Sequence, residues 1–88
     1  MTVKVHKKFL KDLKKIPASQ REKIEQFVFE ESEFFDKAHL PVKIEKLRGY
    51  RTFYKVRFGN YRVGLRIEGN ILTFERVLHR KEIYRFFP

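Results

Sequence analysis

The chain has 88 residues, of which 42% are hydrophobic and 16% aromatic, and its 21 lysines and arginines exceed its 11 acidic residues to give a net charge of +10. This length predicts one domain spanning 1–88 with a modest core, and the lack of cysteine excludes disulfides and thiolate chemistry. The excess charge lies in residues 45–88, which carry 11 basic and 4 acidic side chains, and it favours a polyanionic or acidic partner.

The first half of the chain predicts a strand followed by two helices. "TVKVH" at 2–6 alternates as a strand does, and the helical stripe that follows comprises Phe9, Leu10, Leu13 and Ile16. Pro17 interrupts this helix, and "SQRE" at 19–22 predicts a capping box that opens a second helix ending near Asp36. The residues of this helix expected to face the core are Ile24, Phe27, Val28 and Phe35.

The second half predicts hairpins. Three alternating runs at 53–58, 61–68 and 71–78 are separated by Gly-Asn dipeptides, which favour two-residue turns. The end, "RKEIYRFFP", predicts a short helical segment. The fold class is therefore α+β, in the order β-α-α-β-β-β with a short C-terminal helical segment, as an antiparallel sheet with two helices packed on one face. No apolar run has the length of a signal peptide or membrane span, so we predict a cytoplasmic protein without membrane contact.

The first turn predicts which side chains share a face of the sheet. Tyr54, Val56, Phe58, Tyr61, Val63 and Leu65 face the core, whereas Lys55, Arg57, Arg62 and Arg66 lie on the opposite face. Arg57 directly opposite Arg62 costs a few tenths of a kcal/mol, roughly, and a bound phosphate would turn that cost into affinity. The alternative is that the long side chains simply splay into water. Gly64, opposite Lys55, is either a depression that admits a substrate backbone or a twist point.

The second turn extends the same register to the last strand. It predicts Thr73, Glu75, Val77 and His79 on the charged face, and Leu72, Phe74 and Leu78 in the core. Arg76 then falls on the core face, which requires a bulge or an edge position. Arg80 also has the wrong parity for the charged face unless the strand ends near His79.

Several kinds of chemistry have no support in the sequence. His6, His39 and His79 lack metal-type spacing, and no phosphate-binding loop, dinucleotide-binding or serine-hydrolase motif occurs, so we predict no metal and no cofactor. RNA cleavage without a metal needs a base for the 2′-hydroxyl, cations for the phosphorane and a proton donor for the 5′-oxygen. A basic face can supply all three, and neighbouring arginines favour a neutral lysine that acts as base.

Three stretches carry a resemblance to a known family, namely "KLRG" (46–49), "YKVRFGNYR" (54–62) and "HRKEIY" (79–84). With these stretches the chain resembles the RelE type of the RelE/ParE toxin superfamily. The length and the order of elements also resemble the family over essentially the whole chain. The resemblance implies a toxin of a type II toxin–antitoxin system that cleaves mRNA in the ribosome. It also implies a cognate antitoxin protein as partner, besides mRNA and the ribosome.

The resemblance further implies a role for each matching residue. Lys55 corresponds to the general base, Arg57 to a phosphate-contacting lysine, Arg62 to the transition-state arginine, Arg80 to the proton donor, and Tyr84 to the tyrosine that stacks on the cleaved nucleotide. The chain departs from the family pattern in two places. Arg57 keeps the charge of the family's lysine but cannot transfer a proton as lysine does. The segment from Arg80 to Tyr84 is shorter than in the prototype, and His79 is an alternative acid. We expect further substrate contacts from Arg48, Arg66, His79 and Lys81.

Two rival functions stay open. A ParE-like gyrase poison on the same fold would bind a protein target and need none of the Lys55, Arg62, Arg80 and Tyr84 set. A non-catalytic RNA- or ribosome-binding module would use the same basic face. Transcript mapping after induced expression separates the three functions.

Overall fold

The computed structural model describes residues 1–88 and contains one five-stranded sheet. The strands are β1 (Thr2–Val5), β2 (Glu45–Lys46), β3 (Phe53–Phe58), β4 (Tyr61–Glu68) and β5 (Ile71–His79), in the spatial order β1-β5-β4-β3-β2. The helices are α1 (Lys7–Leu13), α2 (Ala18–Phe29) and α3 (Ile83–Phe86), and a 3₁₀ helix (Glu31–Phe34) follows α2. No helix combines the length and the apolar character that crossing a membrane requires.

The predicted α+β class is confirmed, with two differences in the sheet. β1 runs parallel to β5, so the sheet is mixed rather than antiparallel. β2 is a fourth strand in the second half, pairing Glu45 with Lys55 and Lys46 with Tyr54. Two residues are too few to show alternation, which is why this strand was missed.

The helix boundaries differ from the prediction. α1 ends at Leu13, and Leu10 is exposed although it belongs to the apolar spacing. The capping box is wrong, because Pro17 takes the N-cap position of α2 and no side chain caps the helix. The helix also ends earlier, at Phe29, and the 3₁₀ turn carries the chain on to the buried Phe35.

The first hairpin has the predicted register. Val56 lies opposite Val63, Tyr54 opposite Leu65, and Gly59 has a φ of 56°, which suits the first central position of a type II′ turn. α1 and α2 cover this face, which forms the main core. Its fully buried aromatic side chains are Phe9, Phe27 and Phe74. Phe27 contacts Phe74 with ring centroids 6.1 Å apart, so α2 packs directly on β5.

A β-bulge changes the register of the second hairpin. Leu65 lies opposite Phe74, but the neighbouring Gly64 lies opposite Arg76, which leaves Glu75 as the extra residue. Each later residue therefore points to the face opposite to the one predicted. Val77 is buried in the main core, Leu78 lies opposite Arg62, and His79 lies opposite Tyr61, so the predicted faces of these three residues were wrong.

The same bulge accounts for Arg76. This residue lies where β1 no longer covers the edge of β5, and its Nε and Nη2 donate to the Asp12 carboxylate of α1 at 2.8 and 3.1 Å. Asp12 also accepts the Val77 N–H at 3.1 Å and is nearly buried. The hydrogen bond from Arg76 to Asp12 raises the pKa of Arg76 above its ordinary value. Bulge and edge position together explain the arginine.

Candidate nucleic-acid interface on the open face of the sheet

The sheet face that α1 and α2 leave uncovered, called the open face below, carries Lys55, Arg57, Arg62 and Arg66 in the predicted register. This face is not bare. A second small core lies on it, formed by Leu47, Ile83 and Phe87 with Phe53 and Leu78 packed against them. α3 and Phe87, the residue after it, therefore pack on the open face.

Gly64 is explained by this second core. A Cβ built on Gly64 would lie 2.6 to 2.7 Å from three atoms of the Phe87 ring, closer than real side chains approach. The Phe87 ring is almost completely buried and meets Phe53 edge-on, with centroids 5.4 Å apart. Of the two alternatives for Gly64, the depression for a substrate backbone is wrong, because a side chain of the same chain fills the space.

Lys55 and Tyr84 come together although 29 residues separate them. Lys55 Nζ donates a hydrogen bond to Tyr84 Oη at 3.3 Å and lies 5.7 Å from the centroid of the ring. Lys55 is half-buried, whereas Tyr84 is 55% exposed, so much of the tyrosine surface is accessible to a ligand. A lysine beside an exposed aromatic ring combines a cation for phosphate with a surface for base stacking.

Arg57 and Arg62 face each other as the sequence predicted. Arg57 is exposed and its Nε lies 3.6 Å from Glu45 Oε1, a pair of the kind that water and salt weaken strongly. Arg62 Nη1 donates to the carbonyl oxygens of Gly59 and Tyr61 at 2.7 and 3.0 Å. Each guanidinium retains unused donors, so an anion can bind here without breaking every existing contact.

Arg80 follows the last residue of β5, beside the first turn. Its backbone N–H donates to the Asn60 carbonyl at 2.7 Å, which ties the end of β5 to the first turn and leaves the side chain exposed. β5 ends at His79, which is the condition under which the sequence left Arg80 free of the strand alternation. Lys81 follows Arg80, and Arg48 is exposed in the turn after β2.

His79 and Arg66 have different surroundings from the other predicted site residues. His79 is opposite Tyr61, its ring meets the Tyr61 ring edge-on, and its Nδ1 accepts the Lys81 N–H at 3.1 Å. Arg66 has acidic partners, with Glu68 Oε1 at 3.2 Å and Glu75 Oε2 at 3.7 Å. The structure therefore brings Lys55, Arg57, Arg62 and Tyr84 together on the open face, with the Arg80 backbone held at the adjoining turn. Arg66 lies on the same face but is paired with acidic side chains, and His79 lies on the face of Tyr61.

Sequence reasoning missed the residues that hold this site together. Ile83 and Phe87 are four residues apart, and residues with this spacing lie on the same side of a helix. This spacing could have predicted that the two side chains pack against the sheet next to Tyr84. Leu47, inside "KLRG", belongs to the same small core as Ile83 and Phe87. Its N–H donates to the Phe53 carbonyl at 2.9 Å. Glu45 was missed because β2 was missed.

No three histidine or acidic side chains are grouped to hold a metal ion.

The family model for the ParE toxin of type II toxin–antitoxin systems matches residues 3–84. Toxin RelE3 of Methanocaldococcus jannaschii is 41% identical to this chain over 88 residues, which cover 100% of both chains. The chain belongs to the RelE/ParE toxin superfamily. The predicted membership is thus confirmed.

Solved structures of RelE toxins have the same fold. The RelB–RelE antitoxin–toxin complex of Methanococcus jannaschii matches with a TM-score of 0.78 and 39% identity, over 97% of this chain and 99% of the other. The RelBE2 toxin–antitoxin complex of Mycobacterium tuberculosis matches with a TM-score of 0.67 and 25% identity, over 90% of each chain. Isolated RelE of Escherichia coli, at 22% identity, a TM-score of 0.66 and coverage of 96% and 90%, shows a shared fold alone.

Proposed function

We propose that this RelE/ParE toxin is an endoribonuclease that cleaves mRNA in the ribosomal A site. Attack of a ribose 2′-hydroxyl on the adjacent phosphate would break the bond to the 5′-oxygen, leaving a 2′,3′-cyclic phosphate and a 5′-hydroxyl. The observation that carries this proposal is the contact between Lys55 Nζ and Tyr84 Oη beside the opposed Arg57 and Arg62. It joins two sequence motifs of the resemblance at one point of the basic face.

Each side chain has a task that its position suits. Lys55 takes the proton of the 2′-hydroxyl, and Arg57 and Arg62 stabilise the negative charge that develops on the phosphorane. Arg80 stabilises the departing 5′-oxygen and shares its proton with it. Tyr84 stacks on the nucleotide, since more than half of its surface is exposed. Arg48 and Lys81 are proposed to contact backbone phosphates further along the RNA.

An antitoxin protein is the proposed regulatory partner. Two of the solved relatives are complexes of a RelE toxin with RelB or of RelBE2 type, which supports a corresponding partner for this chain. The net charge of +10 fits an acidic segment of that partner. The proposed site of action is the cytoplasm, where mRNA and ribosomes are found.

A gyrase poison is the second candidate, because the matching family model is that of ParE. Such a toxin would act on a protein and would not need the contact between Lys55 and Tyr84. The cluster of Lys55, Arg57, Arg62 and Arg80 favours the ribonuclease.

Primer-extension mapping of transcripts after induced expression tests the proposal. Codon-phased cuts in wild type that are lost in Lys55→Ala support it, provided that Lys55→Ala protein accumulates to the same level. A DNA-damage response without cuts would instead identify the gyrase poison. Growth arrest with neither outcome, together with RNA or ribosome binding, would identify a non-catalytic binding module.

A further inference from the structure

Tyr84 sits on a helical turn that cannot hold its position alone. α3 has four residues and no side-chain cap, and such a short helix is unstable unless other parts of the protein pack against it. Tyr84 itself is mostly exposed, and its hydroxyl accepts a hydrogen bond from Lys55 Nζ. The placement of its hydroxyl must therefore come from neighbouring residues of the same turn.

Two neighbours of Tyr84 anchor the turn to the sheet. Ile83 is fully buried and Phe87 almost so, and both belong to the small core with Leu47. The Phe87 N–H also donates to the Ile83 carbonyl at 2.8 Å, which closes the turn between the two anchors. In addition, the Phe86 ring lies 5.4 Å from the Arg76 guanidinium.

Gly64 decides where the Phe87 ring can lie. The φ of Gly64 is not positive, so the backbone conformation does not require glycine there. The limited space does require it, because a Cβ would lie 2.6 Å from the Phe87 ring. Gly64 is also the residue directly opposite Lys55. The ring of Phe87 therefore rests on the sheet at the cross-strand position next to the lysine that Tyr84 contacts.

We infer that Gly64 and Phe87 form a lock that positions Tyr84 against Lys55. Both are positioning residues: neither offers a group to the reacting phosphate, and both act through Tyr84. The inference rests on the proposed function for its effect on cleavage, while the geometry of the lock can be measured without it.

A methyl group at position 64 is the sharpest perturbation. Gly64→Ala forces the Phe87 ring away from the sheet, and we expect loss of the nuclear Overhauser contact between the Lys55 ε-methylene and the Tyr84 ring protons. Single-turnover mRNA cleavage should fall about tenfold or more, since small misplacements of reacting groups are costly. Phe87→Leu in the Gly64→Ala background removes the clashing Cε2, and the smaller branched side chain can rotate its Cδ atoms away from the methyl, so it should recover part of the contact and of the rate.

Two comparisons separate positioning from general destabilisation. Val63→Ala, a core truncation on the opposite face, should lower stability and leave both the contact and the cleavage of folded protein unchanged. In a Tyr84→Ala background, Gly64→Ala should not reduce cleavage further, because the residue through which it acts is gone.

The outcomes decide the lock and the function separately. A retained Lys55–Tyr84 contact in Gly64→Ala overturns the lock. A lost contact with wild-type cleavage overturns the inference that the lock serves cleavage. Additive losses in the Tyr84→Ala background also overturn it. If wild type cleaves no mRNA, the proposed function fails, and the contact measured in Gly64→Ala and in its Phe87→Leu double variant still decides whether the lock exists.

Discussion

Two regions of this sheet carry arginines in opposite circumstances. In the bulge region, defined by Asp12, Arg66, Glu68, Glu75 and Arg76, each arginine has a carboxylate partner. In the cationic region, defined by Lys55, Arg57, Arg62 and Arg80, Arg57 and Arg62 oppose each other and Glu45 is the one carboxylate paired with them. Stability accounts for the charges of the first region but not of the second, so the second is where binding is to be sought.

The largest expected effect on stability comes from breaking the bulge region. Asp12→Ala removes three hydrogen bonds, leaving Arg76 unpaired and the Val77 N–H without an acceptor. We expect the free energy of unfolding to fall by about 3 kcal/mol, measured by urea denaturation, since breaking a largely buried pair is strongly destabilising.

Asp12→Asn is the matched variant, because it keeps one acceptor oxygen and loses the charge. Its loss should be about half as large, on the order of 1–2 kcal/mol. Cleavage by the folded fraction should stay at the wild-type rate in both variants. A stability of Asp12→Ala within experimental error of wild type would show that the bulge region does not depend on this pair.

The bulge region also marks where sequence reasoning reached its limit. Alternation and Gly-Asn turns predicted the whole first hairpin, including the Arg57–Arg62 pair, because both signals are local. The bulge at Glu75 has no such local signal, and the odd parity of Arg76 was its trace in the sequence. The contact of Lys55 with Tyr84 joins distant segments, so only the family resemblance placed both in one site.

The largest expected effect on the cleavage rate comes from removing one cation of the cationic region. Arg62→Ala should reduce single-turnover cleavage by about 10²- to 10³-fold, the usual result of deleting a donor to a developing charge. The free energy of unfolding should change by less than about 1 kcal/mol, because at this exposed turn water can replace the lost bonds to two carbonyls, and repulsion from Arg57 is relieved. A large loss of stability would make Arg62 a structural residue of the turn.

Arg80 and His79 provide a third test, because adjacent residues occupy different surroundings. Arg80→Ala should lower cleavage by about 10²-fold, whereas His79→Ala should lower it only a few-fold, since the His79 ring packs on Tyr61 and its Nδ1 is already an acceptor. The wild-type rate of single-turnover cleavage should rise with pH between about pH 6 and 8, since a general base must be unprotonated to accept the proton of the 2′-hydroxyl. A falling limb that vanishes in His79→Ala would make the histidine the proton donor.

The smallest effect compares the two regions with one kind of substitution. Glu45→Gln removes the one carboxylate paired with Arg57, whereas Glu68→Gln removes one of the two carboxylates next to Arg66 and leaves Glu75 in place. Each change raises the net charge equally, so long-range attraction of RNA is matched. We expect Glu45→Gln to tighten RNA binding a few-fold at low salt, because an exposed pair is worth roughly 0.2–1 kcal/mol and the released guanidinium can take a phosphate instead. Glu68→Gln should give a clearly smaller gain, and the difference between the variants should shrink as salt rises and screens the phosphate contacts. Equal gains at every salt concentration would mean that RNA responds to net charge alone and does not distinguish the cationic region from the bulge region.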